Sequence, residues 1–422
     1  MLKRIALSEL ELGMFVHKME GGWFDHPFWK SKFLIADTDK LQVLRSSRLQ
    51  GVVIDTSKGK DVNAPSHAAA AQANAGSNLA RTRIQTIAKR SRRQPSLPMQ
   101  TTTVTQELGA AQAIADRAKE NLSRTFIDAR LGKALNVNTV QPVVDDILAS
   151  VRRSPQAFSG LMRCKLRNEV MFRHSLAVSA LMVSLARVMK LPPNEVHNCG
   201  LAGLLLDIGV NYLPQGIDPP NGDYRNVDPA TWQQHVMLGH RALLNDGDLP
   251  QLVLDACLQH HERIDGRGFP NGLAGDDITQ VARMAAICDT FDFLLSSTNT
   301  SAALDPALAV QHMQNMKGAF DEDILRHFVE SIGIYPVGSF VRLRSEKLAM
   351  VIDEDAKDYS RPVVQAFYSY ETGERILPHR IELARNASKD EIIGVAELSE
   401  LGLPDDDLLR EMVFLTAHNF KE

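Results

Sequence analysis

Apolar and polar positions alternate in short runs over residues 1–60, as in Met14-Phe15-Val16-His17, Phe33-Leu34-Ile35 and Gly51-Val52-Val53-Ile54-Asp55. Successive strand side chains point to opposite faces, so a period of two predicts half-buried strands. Gly21-Gly22 adds a turn signal, and the stretch reads as a small β-rich domain with one or two short helices. Its aromatic group, Trp23, Phe24, Phe28 and Trp29, reads as core packing rather than a binding surface. The pattern stops over 61–101, where an alanine run, Ser, Asn, Gly and Pro65, Pro95 and Pro98 predict a flexible linker. The basic group inside it, Arg81, Arg83, Lys89, Arg90, Arg92 and Arg93, reads as solvated.

From about residue 102 the apolar spacing becomes helical. Helices are expected over 104–131 and near 136–153, 169–190, 194–206, 229–246, 250–262, 279–297, 303–317 and 321–332, with Asn194 and Asp228 as N-caps. Strand-like runs return only after Pro336, at 340–343, 349–352 and 363–367, and one further helix is expected near 404–417. The fold class is therefore mainly α: an all-helical domain at 102–335, a small β-rich N-terminal domain and a small α+β extension at 336–422.

Composition narrows the function classes. A chain of 422 residues with 44% hydrophobic content exceeds one ordinary domain and can bury a core. A net charge of -4 gives no electrostatic trap for duplex nucleic acid. Cys164, Cys199, Cys257 and Cys288 are scattered in apolar stretches without a CxxC pair, as expected of buried thiols in a reducing compartment. No window approaches the roughly 20 apolar residues of a membrane span, and the N-terminus has no leader pattern. The protein reads as cytoplasmic.

The chemistry concentrates in the helical part. His174 precedes an uncharged run to Ala186, Asp207 ends the apolar run 201–206, and His235 lies in a largely apolar helix. The pair His260-His261 closes another helix, and Asp289 follows Ala285-Ala286-Ile287-Cys288. Singly, each has a bland reading: a hydrogen-bonded core histidine, or a carboxylate capping a turn. Together, buried imidazoles and carboxylates are costly unless they satisfy one another, and a shared metal ion would do so. The donors are nitrogen and oxygen without thiolate, which suits Mn, Fe, Co or Zn.

The string His260-His261-Glu262-Arg263-Ile264-Asp265-Gly266-Arg267-Gly268-Phe269-Pro270 resembles the HD-GYP signature HHExxDGxGYP, with Phe269 at the tyrosine position. Residues 202–210 resemble that family's AALLHDIGK segment, 171–175 its first metal-histidine motif, and 282–292 its last aspartate motif. The resemblance covers about 160–335. The N-terminal run, ending at Asp55-Thr56-Ser57-Lys58-Gly59, is similar to the small domain often found upstream.

The resemblance implies a cyclic di-GMP phosphodiesterase using one or two divalent ions, iron or manganese. It implies cyclic di-GMP or a related dinucleotide as ligand, and protein partners within a signalling network. One ion would take Asp207, His235, His260 and His261, and a second His174, Asp207 as a bridge, and Asp289. Asp207 and His261 would be the catalytic groups, with Arg263, Asp265, Gly266, Gly268 and Pro270 on the substrate side. Three departures stand against full activity. Leu206 replaces the histidine of the HD pair, Val210 replaces a lysine, and the Arg-x-Tyr segment is absent, the chain reading Leu295-Ser296-Ser297-Thr298-Asn299-Thr300. They imply weakened hydrolysis or, alternatively, an inactive nucleotide-binding or protein-interaction regulator. A different HD-type nucleotide hydrolase fits less well, because of the GxP turn after the histidine pair.

Overall fold

The computed structural model describes residues 2–20, 32–36, 38–47, 49–62, 102–131, 133, 137–164, 170–214, 227–245, 249–296, 302–355, 358–385 and 390–419. The aromatic group at 23–29, the linker expectation beyond residue 62 with its basic group, and residues 297–300 lie outside them. The chain divides into two compact units, Met1–Gln100 and Thr101–Glu422.

In the first unit, strands β1 (Leu2–Ile5), β2 (Phe15–Glu20), β3 (Phe33–Leu34) and β4 (Gly51–Asp55) form an antiparallel sheet in the order β1-β4-β2-β3, with helix α1 (Thr38–Ser46) between β3 and β4. Leu10, Met14, Val16, Ile35, Leu44, Val52 and Ile54 form its core. The three alternating runs of the sequence became β2, β3 and β4. β1 was missed, its four residues offering one buried position.

The second unit opens with α2 (Val104–Arg130), capped by Thr103 and Gln106 in a reciprocal box. Val104, Leu108, Ala111, Ala115, Ala118, Leu122, Thr125 and Ala129 are buried along it at alternating spacings of four and three, one continuous seam against the domain. Then come α3 (Gln141–Arg153), α4 (Pro155–Cys164), α5 (Val170–Val188), α6 (Pro193–Leu205), α7 (Pro229–Trp232), α8 (Gln234–Leu244), α9 (Gln251–Gln259), α10 (Gln280–Leu294), α11 (Pro306–Asn315) and α12 (Glu322–Ile332). Strands β5 (Phe340–Leu343), β6 (Lys347–Asp353), β7 (Val363–Ser369), β8 (Glu374–Glu382) and β9 (Ile392–Val395) make an antiparallel sheet ordered β8-β7-β6-β5-β9, followed by α13 (Asp406–Ala417).

The mainly α class agrees with the sequence reading, but several details differ. α4 was missed because nearly every residue on it is buried, so no polar face marks a helical period. The helix expected over 229–246 breaks at Gln233 into α7 and α8. Asp228 caps α7 by accepting from the Thr231 amide at 3.0 Å, as expected. Asn194 does not cap α6. That helix starts at Pro193, whose missing N–H costs nothing at a first position, and Pro192 is the capping residue.

The C-terminal sheet is tied to the helices by buried polar contacts. One oxygen of Asp305 caps α11 through the Ala307 amide at 2.9 Å, and the other accepts from the Phe340 amide of β5, also at 2.9 Å. Arg410 of α13 donates to the Gly338 carbonyl, and His418 bridges Thr105 of α2 at 2.7 Å and the Ile352 carbonyl of β6 at 3.1 Å.

Candidate metal centre

Five elements bring the sequence-predicted ligands together: His174 from α5, Asp207 from the turn after α6, His235 from α8, His260 and His261 just beyond α9, and Asp289 from α10. The close approach has a backbone cause. A Cβ at Gly203 of α6 would stand 2.9 Å from the Ser179 Cα of α5, so these helices meet where only hydrogen fits. Ser179 fixes the contact by donating to the Gly200 carbonyl at 2.8 Å.

Asp207 lies at the middle of the cluster. Its Oδ1 is 3.3 Å from His235 Nε2 and 3.4 Å from His260 Nε2, while its Oδ2 is 3.4 Å from His174 Nε2. His174 Nε2 is also 3.2 Å from Asp289 Oδ1. Two groups result, His235 with His260 and His261, and His174 with Asp207 and Asp289, each with its donor atoms within 4.8 Å of one another.

The ring orientations suit metal ligation. His235 Nδ1 donates to the Trp232 carbonyl at 2.6 Å, and His260 Nδ1 to the Cys257 carbonyl at 3.0 Å. In both rings this leaves the Nε2 lone pair facing Asp207. Three buried atoms here, His174 Nε2, Asp207 Oδ1 and His261 Nε2, have no hydrogen-bond partner. An unsatisfied buried polar atom costs about 1–3 kcal/mol, and cations held by the two donor groups would satisfy all three.

The charge balance agrees. Burial alone would lower the His174 imidazole, but Asp289, Asp292 and Asp207 outweigh it and lift it to about 10. Burial likewise opposes, and Asp207 then reverses, the shift of His260, whose pKa is raised. Burial would raise the Asp207 carboxyl, yet His235, His260 and His174 hold it well below its usual range. His261 is pushed well down by burial and by the positive charge of His260 and His235, so its lone pair stays available.

The loop after the histidine pair is held rigidly. Buried Glu262 accepts from the amides of Asn271 at 2.7 Å and Leu273 at 3.0 Å. Arg263 donates to Asp265 through two nitrogens at 3.1 and 2.9 Å, and Asp265 also takes the Arg267 amide. Gly266 has φ +73, and a Cβ at Gly268 would stand 2.4 Å from the Glu262 Cα. The Phe269–Pro270 peptide is cis. The Phe269 ring stacks on His261 with centroids 4.6 Å apart. Sequence reasoning gave no role to Glu262 or to Asp292, whose Oδ2 accepts from His174 Nδ1 at 2.9 Å. The signal for Asp292 was present: three residues after Asp289, it shares that face of α10.

The HD domain family model matches residues 156–324, and that of DUF3391, a domain of unknown function, matches residues 2–140. A cyclic di-GMP phosphodiesterase of Pseudomonas aeruginosa is 38% identical over 402 residues, 93% of this chain and 92% of that protein. The chain belongs to the HD-GYP family. More distant relatives include the cyclic di-GMP phosphodiesterase response regulator RpfG of Xanthomonas campestris, 32% identical over 31% of this chain and 35% of that one. A 3'3'-cGAMP-specific phosphodiesterase of Vibrio cholerae is 31% identical over 36% of this chain and 30% of its own length. Among solved structures, an HDG"Y"P protein from Bdellovibrio bacteriovorus aligns over 78% of this chain and 99% of its own with a TM-score of 0.43 and 17% identity.

Against the HD-GYP pattern, the two substituted positions lie on either side of Asp207, and both are buried: Leu206 at 1% exposure and Val210 at 2%. The Leu206 carbonyl accepts from the Cys257 thiol at 3.4 Å. Part of the segment that departs from Arg-x-Tyr lies outside the described residues; Ser296, at its start, accepts from Arg173 of α5. Among the described residues, no helix is long and apolar enough to cross a membrane.

Proposed function

We propose that this chain is a metal-dependent phosphodiesterase that opens cyclic di-GMP or a related cyclic dinucleotide, with a rate lowered by Leu206 and Val210. The observation that carries this is the two-sided contact of Asp207, Oδ1 toward His235 and His260 and Oδ2 toward His174. A carboxylate shared between two ion positions would make contacts of this kind. The first would be held by Asp207, His235, His260 and His261, and the second by His174, Asp207 and Asp289. The nitrogen and oxygen donor set suits iron or manganese, and such an ion supplies Lewis acidity that activates water and neutralises phosphoryl charge.

The chain's own residues then have separable tasks. Asp207 brings negative charge to both positions, and His261, kept neutral by its surroundings, adds a ligand lone pair. The rigid loop with Arg263, Asp265, Gly266, Gly268 and Pro270 would face the dinucleotide. Residues 1–60 would sense a signal, 61–101 would link them to the catalytic part at 102–335, and 336–422 would form a C-terminal extension. Four free, buried cysteines fit a cytoplasmic site of action.

A second reading, a nucleotide-binding regulator without turnover, is favoured by the burial of Leu206 and Val210 in apolar surroundings. Losing one electrostatic group of this kind lowers a rate by about 10²–10³. Protein loaded anaerobically with iron or manganese is therefore expected to give slow linear product from cyclic di-GMP. Tight binding of the nucleotide with no product would establish the regulator instead.

A further inference from the structure

His174 has a carboxylate at each ring nitrogen: Asp292 Oδ2 is 2.9 Å from Nδ1 and Asp289 Oδ1 is 3.2 Å from Nε2. Both acids come from α10, three residues apart, so one helical face presents them to the same ring. Their surroundings differ. Asp289 belongs to one of the two donor groups, and its Oδ2 lies 4.0 Å from His261 Nδ1. Asp292 belongs to neither group. It is 2% exposed and lies in the electrostatic reach of Arg163, a half-buried cation of α4 whose guanidinium lies over the Phe291 ring at 5.9 Å.

We propose that Asp292 is a positioning residue for His174: by accepting the Nδ1 proton it fixes the ring and its tautomer so that the Nε2 lone pair faces Asp207 and Asp289. This rests on the reading of the cluster as a metal centre. The other two oriented histidines lean on neutral main-chain carbonyls, Trp232 for His235 and Cys257 for His260. A carboxylate acceptor orients the ring in the same way and also makes Nε2 a stronger donor. That support falls on the side of the cluster that lost a ligand at Leu206. The same Arg163 donates to the Val337 carbonyl at 2.9 Å, near the start of the C-terminal sheet.

The test is equilibrium dialysis of the full chain against graded manganese chloride, with ion content per chain read by elemental analysis. Wild type, His174→Ala, His235→Ala and Asp292→Asn are compared, and thermal melts of the metal-free forms check folding. Asp292→Ser is the second variant if the asparagine form does not fold. The expected result is that Asp292→Asn weakens ion binding on the His174 side by about 10–100-fold. At limiting manganese it then gives the ion count of His174→Ala, with the ion lost in His235→Ala retained. If His174→Ala loses an ion while Asp292→Asn keeps it at wild-type affinity, the inference is overturned and the metal reading stands. If His174→Ala loses no ion, or wild type holds none, the metal reading on that side fails and takes the inference with it.

Discussion

The Gly209 Cα faces the His235 carbonyl so closely that a Cβ there would stand 1.9 Å from that oxygen and 2.5 Å from the Gly239 nitrogen. The turn that carries Asp207 and the first turn of α8 are thus in backbone contact, which brings His235 Nε2 within 3.3 Å of the Asp207 carboxylate. Gly209→Ala forces two backbones apart, which no side-chain rotation can relieve. It is expected to destabilise the second unit by about 3 kcal/mol, the range of severe overpacking. Urea unfolding of the variant against wild type measures this, and a change below about 1 kcal/mol would show that the turn and α8 can separate freely.

The departures around Asp207 predict a gain of function. Leu206→His with Val210→Lys would offer a further ligand beside Asp207 and a positive charge one turn further on. Turnover of cyclic di-GMP is expected to rise at least about tenfold, with additional metal bound. Turnover and metal content are measured on the same preparation. A folded double variant with neither gain would mean that the apolar surroundings of Leu206 and Val210 no longer accept polar groups, since an unpaired polar group there is costly.

A pH dependence should come from His418, away from the metal cluster. Burial lowers its pKa to about 4, even though the bond to the Ile352 carbonyl acts the other way. Neutral His418 donates one N–H to Ile352 and can accept from the Thr105 hydroxyl, and protonation removes that acceptor. Because the folded pKa lies below the unfolded value of about 6.5, its stabilisation is complete above pH 6.5 and is lost as pH falls toward 4, by about 3 kcal/mol in all. His418→Gln should flatten this part of the stability profile between pH 7 and 4. Parallel profiles for variant and wild type in chemical unfolding would contradict it.

What could be read from the chain depended on how much of each feature is local. Asp207, His260 and His261 sit inside contiguous motifs, and their chemistry was legible from type and spacing. That His174, His235 and Asp289 belong with them was suggested by ionisable groups in apolar helices, but the division into two ligand sets came only from the resemblance, because the contacts between them span five elements. α4 was invisible because burial all round removes the amphipathic period. The tie between Asp305 and Phe340 and the approach of Gly209 to α8 are relations between distant segments with no sequence pattern. β8 and β9 escaped notice because their positions are mostly half-buried or exposed and carry no clear alternation.

A metal centre at this cluster would draw on the Asp207 carboxylate for both sets of ligands. Elemental analysis of protein purified without chelators, beside Asp207→Asn prepared identically, decides whether it does. Wild type is expected to hold at least about one transition-metal ion per chain, and the variant, folded by its melt, to lose it, because both donor sets depend on that one carboxylate. Wild-type occupancy well below one per chain, unchanged after reconstitution with manganese or iron, would mean that the cluster holds no metal.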